Sequence, residues 1–300
     1  MTRHILSFDV EEYFVVEAFR SIIEPSTWSS RESRVEHQVV ELLDILDENG
    51  AEATFFVLGW VAERRPSVVR AIAERGHEIA SHGYGHECVH RLSAAEFAAD
   101  VRRARELLED IAGVEVVGYR APTFTVTEAT LWALDVLLET GHRYDSSIFP
   151  IRHDRYGFPE FPTKPIRLLW EDGATLDEYP MATIQTRIGR LPVAGGGYFR
   201  LFPNWTLRRA WDRLTRENRS SVFYLHPWEL DDGQPRMPVG WVTGLRHYAH
   251  LGKTRSRLTE WLKRFHWTSF RSMRAAEGSP IATLSRAELR PRQGRSLTHV

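Results

Sequence analysis

The sequence lacks the features that mark several large classes of protein. Its 300 residues contain one cysteine, Cys88, so no disulfide can form within the chain and the fold does not depend on an oxidising compartment. The formal net charge is −1, without the basic excess expected of a nucleic-acid-binding surface. No long apolar run is present, and the chain enters an apolar strand-like run by residue 5. We therefore expect no membrane span, no cleavable signal and a cytoplasmic location.

Glycine-rich nucleotide loops are missing as well. Neither G-x-G-x-x-G nor G-x-x-x-x-G-K-[ST] follows a strand-like run, so the nucleotide-binding versions of an α/β fold lose their main support. Hydrophobic residues make up 42% of the chain and charged residues 26%, which is ordinary for a soluble globular protein. A chain of this length can bury a large core as one big domain or two modest ones.

Strand-like and helical segments alternate over the first half of the chain. Apolar runs at residues 5–9, 53–58 and 114–119 predict strands, and the segments between them carry apolar residues at helical spacing. Capping-box patterns at Ser33 and Ser93 predict helix starts. The alternation predicts a parallel sheet with covering helices, and it does not decide whether that sheet closes into a barrel.

The second half of the chain is less regular. Residues from about 154 to 203 are rich in proline, glycine and aromatics, and we interpret them as insertions on the scaffold rather than as a separate domain. Residues 1–273 are thus predicted to form one domain. Apolar periodicity is lost after about Arg274, so we expect residues 274–300 to form a poorly ordered tail.

Two histidines, His82 and His86, lie in a segment too glycine-rich to be a helix, so their imidazoles can turn toward one point. Upstream, strand alternation places Asp9 and Glu11 on the same side of an apolar run. Neighbouring carboxylates are costly unless a cation or an arginine compensates them. A metal held by Glu11, His82 and His86 would do so and leave a position open for water, as in catalytic zinc sites. Glu12 is the alternative third ligand. Zn²⁺ suits this set best, with Co²⁺, Mn²⁺ or Ni²⁺ as alternatives.

Two further polar residues also end strand-like runs, which is where barrel enzymes carry their chemistry. Arg120 precedes Ala-Pro, and an arginine facing carboxylates there would be fixed by its charge. His226 ends an apolar run, where a lone histidine is as often a structural hydrogen-bonding group as a catalyst.

Taken in order, these motifs resemble the NodB-type polysaccharide deacetylases of carbohydrate esterase family 4. The resemblance covers about residues 1–150 together with 222–229, and it implies a distorted (β/α)7-type barrel. Residues 195–200 and the C-terminal third, within about 154–273, further resemble the branch found in bacterial exopolysaccharide loci linked to exosortase systems. The stretches that carry the family likeness are residues 8–11, 81–86, 119–124, 144–147 and 225–229.

The resemblance implies a role for each matching residue. Asp9 would be the catalytic base, with Arg120 as its partner, and His226 would be the acid. Asp145 would polarise His226, and the backbone N–H of Thr123 would help to stabilise the oxyanion. The two histidines of the second motif would bind the metal.

The chain departs from the family pattern in two places. The usual first motif has adjacent aspartates, the second of which binds metal, but Val10 stands there. Some relatives carry an acid two residues after the first aspartate, which makes Glu11 the expected ligand. In the fourth motif Ile148 and Phe149 replace the usual Asp-Trp, which changes the expected shape of the sugar groove.

The Gly195-Gly196-Gly197 run predicts backbone conformations closed to other residues or a close approach to a ligand. Tyr198 and Phe199 could stack on sugar rings, and Arg200 could bind a carboxylate or phosphate on the substrate. A buried hairpin whose aromatics fill the core is the equal alternative.

Together these features predict a metal-dependent hydrolase that removes N-acetyl groups from the amino sugars of an exopolysaccharide or its precursor and releases acetate. Its partner would be an N-acetylated polysaccharide or oligosaccharide. The alternatives are an allantoinase-like hydrolase of a small amide on the same fold, and a carbohydrate-binding pseudoenzyme. The sugar and the oligomeric state are left open.

Overall fold

A computed structural model of the chain describes residues 2–153, 155–187, 189–276 and 282–289. Its strands are β1 (Arg3–Val10), β2 (Thr54–Val57), β3 (Glu78–Ser81), β4 (Gly118–Tyr119), β5 (Tyr144–Asp145), β6 (Ile166–Leu169), β7 (Thr175–Glu178), β8 (Thr183–Thr186), β9 (Gly189–Pro192), β10 (Val222–Leu225), β11 (His266–Thr268) and β12 (Ala282–Ser285). Its α-helices are α1 (Val35–Glu48), α2 (Gly59–Arg64), α3 (Pro66–Glu74), α4 (Ala94–Ala112), α5 (Trp132–Glu139), α6 (Gly196–Leu201), α7 (Asn204–Arg216), α8 (Trp241–Tyr248), α9 (Thr254–Arg264) and α10 (Phe270–Ala276).

The main sheet is built from parallel strands in the order β10-β1-β2-β3-β4-β5-β7. Beyond β7 the sheet continues with the antiparallel β6 and then β12, while β11 pairs with β1 and β8 pairs with β9 in a separate ribbon. Bridges from Met181 to Val222 and from Gly195 to Tyr224 bring the chain after β7 against β10. The predicted α/β barrel of one domain is confirmed as a mixed α/β fold whose parallel strands curl into a half-barrel.

Burial on both faces of the sheet explains the near-continuous apolar runs in the sequence. In β1 every residue after Arg3 is buried, and all four residues of β2 and of β3 are buried too. The helix α1 buries a stripe that includes Val39, Leu42 and Leu46, and these residues belong to the same apolar cluster as residues of β1 and β2. The alternation of strands and helices in the sequence therefore identified the scaffold correctly.

The two capping boxes have different outcomes. At α4 the box forms, because Glu96 N–H donates to Ser93 Oγ at 3.3 Å and Ser93 N–H donates to Glu96 Oε2 at 2.8 Å. At α1 the predicted box is absent, and the helix begins at Val35 with Arg34 before it. There Ser33 Oγ donates to Glu12 Oε1 at 2.5 Å instead. The Ser33 hydroxyl therefore binds the buried carboxylate of Glu12 and does not cap α1.

The second half of the chain is more regular than its composition indicates. Residues 154–203 contribute β6 and β7 to the main sheet, so they are part of the core and not only decoration. Part of the expected tail is ordered as well, since β12 pairs with β6 and Leu289 is buried in the same apolar cluster as Leu168. The prediction of a poorly ordered tail is thus wrong for residues 282–289, and residues 277–281 and 290–300 lie outside the described part. No helix in the described part is both long and apolar enough to cross a membrane.

The parallel strands end on one side of the sheet, and most of the predicted site residues follow those ends. Glu11 comes just after β1, His82 just after β3 and Arg120 just after β4. His226 follows β10, which is the neighbour of β1 in the sheet. Carboxyl ends of parallel strands meet at one edge, so residues far apart in sequence are brought into one cleft.

Candidate active site

Glu11, His82 and His86 form a buried cluster in which one ligand atom from each lies within 4.8 Å of the others. Glu11 Oε2 is 2.7 Å from His86 Nε2 and 3.9 Å from His82 Nε2. His86 has a positive φ of 53°, a conformation uncommon for residues other than glycine, and Gly83 in the same turn has a φ of 71°. The glycine-rich turn after β3 thus directs both imidazoles toward the carboxylate that follows β1.

The hydrogen bonds of this cluster fit a divalent cation. His82 Nδ1 donates to the backbone oxygen of Arg120 at 2.8 Å, so His82 Nε2 keeps its lone pair and turns it toward Glu11. Glu11 Oε2 is buried, and the polar atom that it approaches within hydrogen-bond distance is His86 Nε2 at 2.7 Å. Burial lowers the pKa of His82 to about 4. Burial would raise the pKa of Glu11, but the nearby imidazoles of His86, His226 and His82 outweigh it and lower that pKa to about 2. One carboxylate and two imidazoles at this spacing match the donor types that bind zinc.

Glu12, the alternative third ligand, points elsewhere. Its carboxylate accepts the Ser33 hydroxyl at 2.5 Å and the Arg34 backbone N–H at 3.0 Å. These bonds anchor the segment before α1, and Glu12 is not part of the cluster that could hold an ion. The structure therefore places Glu11, and not Glu12, beside the two histidines.

Asp9 lies beside this cluster and is paired with Arg120. Arg120 Nη1 donates to Asp9 Oδ1 at 2.6 Å, and the arginine side chain is fully buried. Its other donors reach Ser146, with Nε bound to the backbone oxygen at 3.1 Å and Nη2 to Oγ at 3.2 Å. The guanidinium also lies 4.0 Å from the centroid of the Phe56 ring. Removing the arginine would leave the Asp9 carboxylate buried without its partner, so this pair fixes the orientation of the carboxylate.

His226 faces the same cluster from β10, with Nε2 3.7 Å from Glu11 Oε1. On its other side Nδ1 donates to Glu229 Oε1 at 2.8 Å, and the ring stacks on Trp228. Burial would lower the pKa of His226, but the bond to Glu229 and the charges of Glu11 and Asp9 outweigh it and raise that pKa to about 9. The arrangement holds a protonated imidazole at the cleft, which suits a general acid.

The prediction that Asp145 polarises His226 is wrong, because Glu229 occupies that position. Asp145 Oδ1 instead accepts the Ser147 hydroxyl at 2.5 Å, and Ser147 Oγ accepts the Ala121 N–H at 2.7 Å. Asp145 also shares a hydrogen bond with Glu178, and burial raises the pKa of both carboxyl groups. Asp145 therefore supports the loop that carries Thr123. The sequence held a signal for Glu229, which lies three residues after His226 in the same motif.

Arg200, which the sequence predicts to bind substrate, lines the cleft but has its donors engaged within the protein. Its guanidinium is buried behind Glu229, donating from Nε to Glu229 Oε2 at 2.6 Å. The remaining donors reach the backbone oxygens of His247 and Ala249 at 2.8 Å and of Arg246 at 3.0 Å. Burial would raise the pKa of Glu229, but Arg200 and His226 outweigh it and lower that pKa to about 2. Arg200 is a positioning residue that keeps the partner of His226 ionised.

The glycine run has a structural explanation. Gly195 has a φ of 126°, and a Cβ placed there would lie 1.9 Å from the backbone oxygen of Tyr224 on β10. The residues that follow form α6, in which Phe199 is fully buried. The core alternative for this segment is thus closer to the structure, although it is a helix and not a hairpin. Tyr198 is partly buried, and its hydroxyl lies 3.2 Å from that of Tyr156.

Thr123 lies in a strained turn at the cleft. It has a φ of 56°, and Phe124 after it has a φ of 53°, so two consecutive residues with side chains adopt the left-handed region. Such conformations cost on the order of 1–3 kcal/mol each and persist where the surrounding structure enforces them. Here the hydrogen bonds of Asp145 and Ser147 hold the start of the turn. Thr123 lines the cleft, as its predicted role requires.

The cleft that joins these groups has a volume of about 230 Å³. Residues from both halves of the chain form its walls, and Glu17, Arg155 and Arg246 lie near its mouth. The catalytic candidates on its walls are Asp9, Glu11, His82, His86, Thr123 and His226.

Comparison with known proteins divides the chain into two matched parts. Residues 32–144 match the family model described as polysaccharide deacetylase, and residues 146–275 match DUF3473, a domain of unknown function. The two histidines and Arg120 lie in the first part, and His226, Glu229 and Arg200 lie in the second. Asp9 and Glu11 precede both, so the site is assembled from three stretches of sequence.

Individual relatives match the first part. The peptidoglycan-N-acetylglucosamine deacetylase of Bacillus cereus is 33% identical over 96 residues, which are 32% of this chain and 35% of that protein. The chitin deacetylase of Colletotrichum lindemuthianum is 37% identical over 87 residues, which are 27% of this chain and 35% of that protein. The matched stretch therefore spans about a third of the length of these curated relatives.

One solved structure resembles nearly the whole chain. It is the crystal structure of a Mycobacterium smegmatis protein assigned as a polysaccharide deacetylase, with a TM-score of 0.62 and 24% identity. The match covers 93% of this chain and 92% of that one, so the fold is shared over both matched parts. Residues 32–144 are thus similar to polysaccharide deacetylases and residues 146–275 to a domain of unknown function, and both parts lie within one α/β fold.

Proposed function

We propose that this protein is a metal-dependent deacetylase that hydrolyses the N-acetyl groups of amino sugars and releases acetate. The observation that carries the proposal is the meeting of three units in one cleft. These units are the Glu11–His82–His86 cluster, the Asp9–Arg120 pair and the His226–Glu229 pair. Each unit by itself has structural explanations, but together they provide a metal site, a base and an acid.

The residues divide the reaction between them. A divalent ion held by Glu11, His82 and His86 would supply Lewis-acid activation of water and of the amide carbonyl. Asp9 accepts a proton from the attacking water, whose oxygen forms a bond to the carbonyl carbon. His226 donates its Nε2 proton to the amide nitrogen as the C–N bond breaks, which yields acetate and a free amine. The backbone N–H of Thr123 would donate to the developing oxyanion, a role worth about 2.7–4 kcal/mol per donor in other enzymes.

The substrate class is proposed on a separate basis. Curated relatives named as peptidoglycan, chitin and chitooligosaccharide deacetylases support an N-acetylated saccharide. The likeness of the C-terminal third to the exosortase-linked branch supports an exopolysaccharide or its precursor. The match to DUF3473 gives that region a family, but one without an assigned role.

Acetate release from saccharides and ring opening of allantoin, which carries no acetyl group, together test the proposal. Wild-type protein should release acetate from chitooligosaccharides or a bacterial N-acetylated polymer, and it should leave allantoin unchanged. Turnover of allantoin alone would favour the small-amide hydrolase, and binding of the saccharides without any acetate would favour the pseudoenzyme.

Metal content gives a readout independent of activity. About one divalent ion per chain is expected, to be measured by elemental analysis, and it should be lost in a His82→Ala, His86→Ala double variant. Glu11→Ala should lose more metal than Glu12→Ala, the matched control on the neighbouring residue. Full occupancy in the double variant, or a larger loss in Glu12→Ala, would overturn the ligand assignment.

A further inference from the structure

Two exposed arginines, Arg155 and Arg246, lie at the mouth of the catalytic cleft. Arg155 belongs to the loop after β5, and Arg246 lies on α8, so separate segments of the second half place them there. Within the described ranges neither guanidinium forms a hydrogen bond or an ion pair. This distinguishes them from the buried Arg120 and Arg200, whose donors are committed to buried partners.

Among the residues that the structure describes, no carboxylate forms an ion pair with either of these two arginines. Glu17 also lines the cleft, but its carboxylate is held by Arg91, with contacts of 2.5 Å and 3.0 Å. At the bottom of the cleft Asp9 is paired with Arg120. The whole chain has a net charge of −1, so the positive mouth is a local arrangement and not the consequence of an overall basic excess.

We infer that the substrate of this cleft is an acidic saccharide, with carboxylate or phosphate groups on the sugars next to the N-acetylated residue. The inference rests on the proposed deacetylase function. Guanidinium groups bind carboxylates and phosphates through paired, charge-assisted hydrogen bonds, and free arginines at a cleft mouth also attract anions from solution. The N-acetyl group would enter the cleft, while the neighbouring anionic sugar lies across Arg155 and Arg246.

The test compares acetate release from matched oligosaccharides. The probes are neutral chitotetraose, a tetrasaccharide of alternating N-acetylglucosamine and glucuronic acid, and chitotetraose bearing a phosphate. The quantity to measure is kcat/KM for each acidic probe divided by kcat/KM for the neutral one. We expect this ratio to exceed one in the wild type and to fall about tenfold in an Arg155→Gln, Arg246→Gln double variant, mainly through KM, because two charge-assisted contacts are lost. The better of the two acidic probes identifies the anion.

The control is Arg152→Gln, which removes an exposed arginine of the same loop that does not line the cleft. It should leave the ratio within about twofold, since exposed charges at a distance are screened by salt. An equal loss of preference in the control, or a wild-type ratio of one or less, would overturn the inference and leave the deacetylase function standing.

Binding measurements distinguish a failure of the proposed deacetylase function from a failure of the proposed recognition of acidic saccharides. Calorimetric titration with each acidic probe should show weaker binding to the double variant than to the wild type, whether or not acetate is released. If the acidic probes bind but no acetate is released, the proposed deacetylase function is refuted and the proposed recognition of acidic saccharides is retained. If acetate is released and the double variant binds the acidic probes as tightly as the wild type does, the proposed recognition by Arg155 and Arg246 is refuted and the deacetylase function is retained.

Discussion

Replacement of Glu229 by glutamine tests the assignment of the acid most sharply. The amide keeps an oxygen that can accept the His226 Nδ1 proton, so the ring orientation is retained while the negative charge is lost. In the wild type the hydrogen bond to this carboxylate is the strongest influence that opposes burial, and together with the nearby charges it raises the pKa of His226 to about 9. Without the negative charge, burial should return the pKa toward the ordinary value near 6.5.

The sign of the effect follows from the role of the acid. His226 must be protonated to donate, so activity is present below its pKa and is lost as the pH rises through it. A fall in the pKa of His226 from about 9 toward 6.5 would reduce the protonated fraction of this residue at pH 8 by roughly tenfold or more. The alkaline limb of kcat for acetate release, measured between about pH 6 and 10, should therefore move to lower pH.

Controls keep this prediction separable from unfolding. Glu229→Gln leaves the buried Arg200 without its anionic partner, which costs on the order of 3–5 kcal/mol of stability. An Arg200→Met, Glu229→Gln double variant removes both charges and should show the same displaced limb with less loss of stability. Asp145→Asn changes the residue that the sequence predicted as the partner of His226, and it should leave the alkaline limb of kcat in place. An unmoved limb in both Glu229 variants, or an equal displacement in Asp145→Asn, would refute the assignment.

Three further predictions concern other parts of the molecule. Asp9→Asn should keep its metal by elemental analysis yet lose most turnover, because the base lies beside the ligands without being one; unchanged kcat would remove it from the mechanism. Burial lowers the pKa of His4 to about 4 and of His142 to about 3, so the unfolded chain takes up protons below pH 6.5 before the folded protein does. The free energy of unfolding should therefore fall below pH 6.5, by up to about 1.4 kcal/mol per pH unit for each residue. Equal free energies of unfolding in urea at pH 7 and pH 5 would contradict this prediction. Gly195→Ala should lower the free energy of unfolding by more than about 2 kcal/mol, because its Cβ would meet the Tyr224 backbone oxygen, whereas the solvent-open Gly173→Ala should cost less.

The sequence predicted the residues at strand ends better than those that support them. Asp9, Glu11, His82 and His86 follow from strand alternation and spacing, which are local properties of the chain. Asp145 could not be assigned in this way, because which carboxylate reaches His226 depends on tertiary packing. Its hydroxyl partner Ser147 and its proton-sharing partner Glu178 are visible only in the fold.

The same limit explains the glycine run and the second half of the chain. Gly195 was correctly interpreted as a position closed to other residues, but the close approach is to a neighbouring strand and not to a ligand. The sequence predicted Arg200 as a residue that binds an anionic group of the substrate, and only the fold shows that its guanidinium is paired with the buried carboxylate of Glu229. The strand β7 is short and partly polar, so its place in the sheet depends on pairing with β5 and β6.

Chelation followed by metal replacement tests the central claim most directly. Acetate release from an N-acetylated oligosaccharide should be lost when the wild-type protein is stripped of metal, and it should return when Zn²⁺ is added. The His82→Ala, His86→Ala variant should stay inactive under both conditions while remaining folded by circular dichroism. Full acetate release from metal-free protein, or from the variant, would contradict the account.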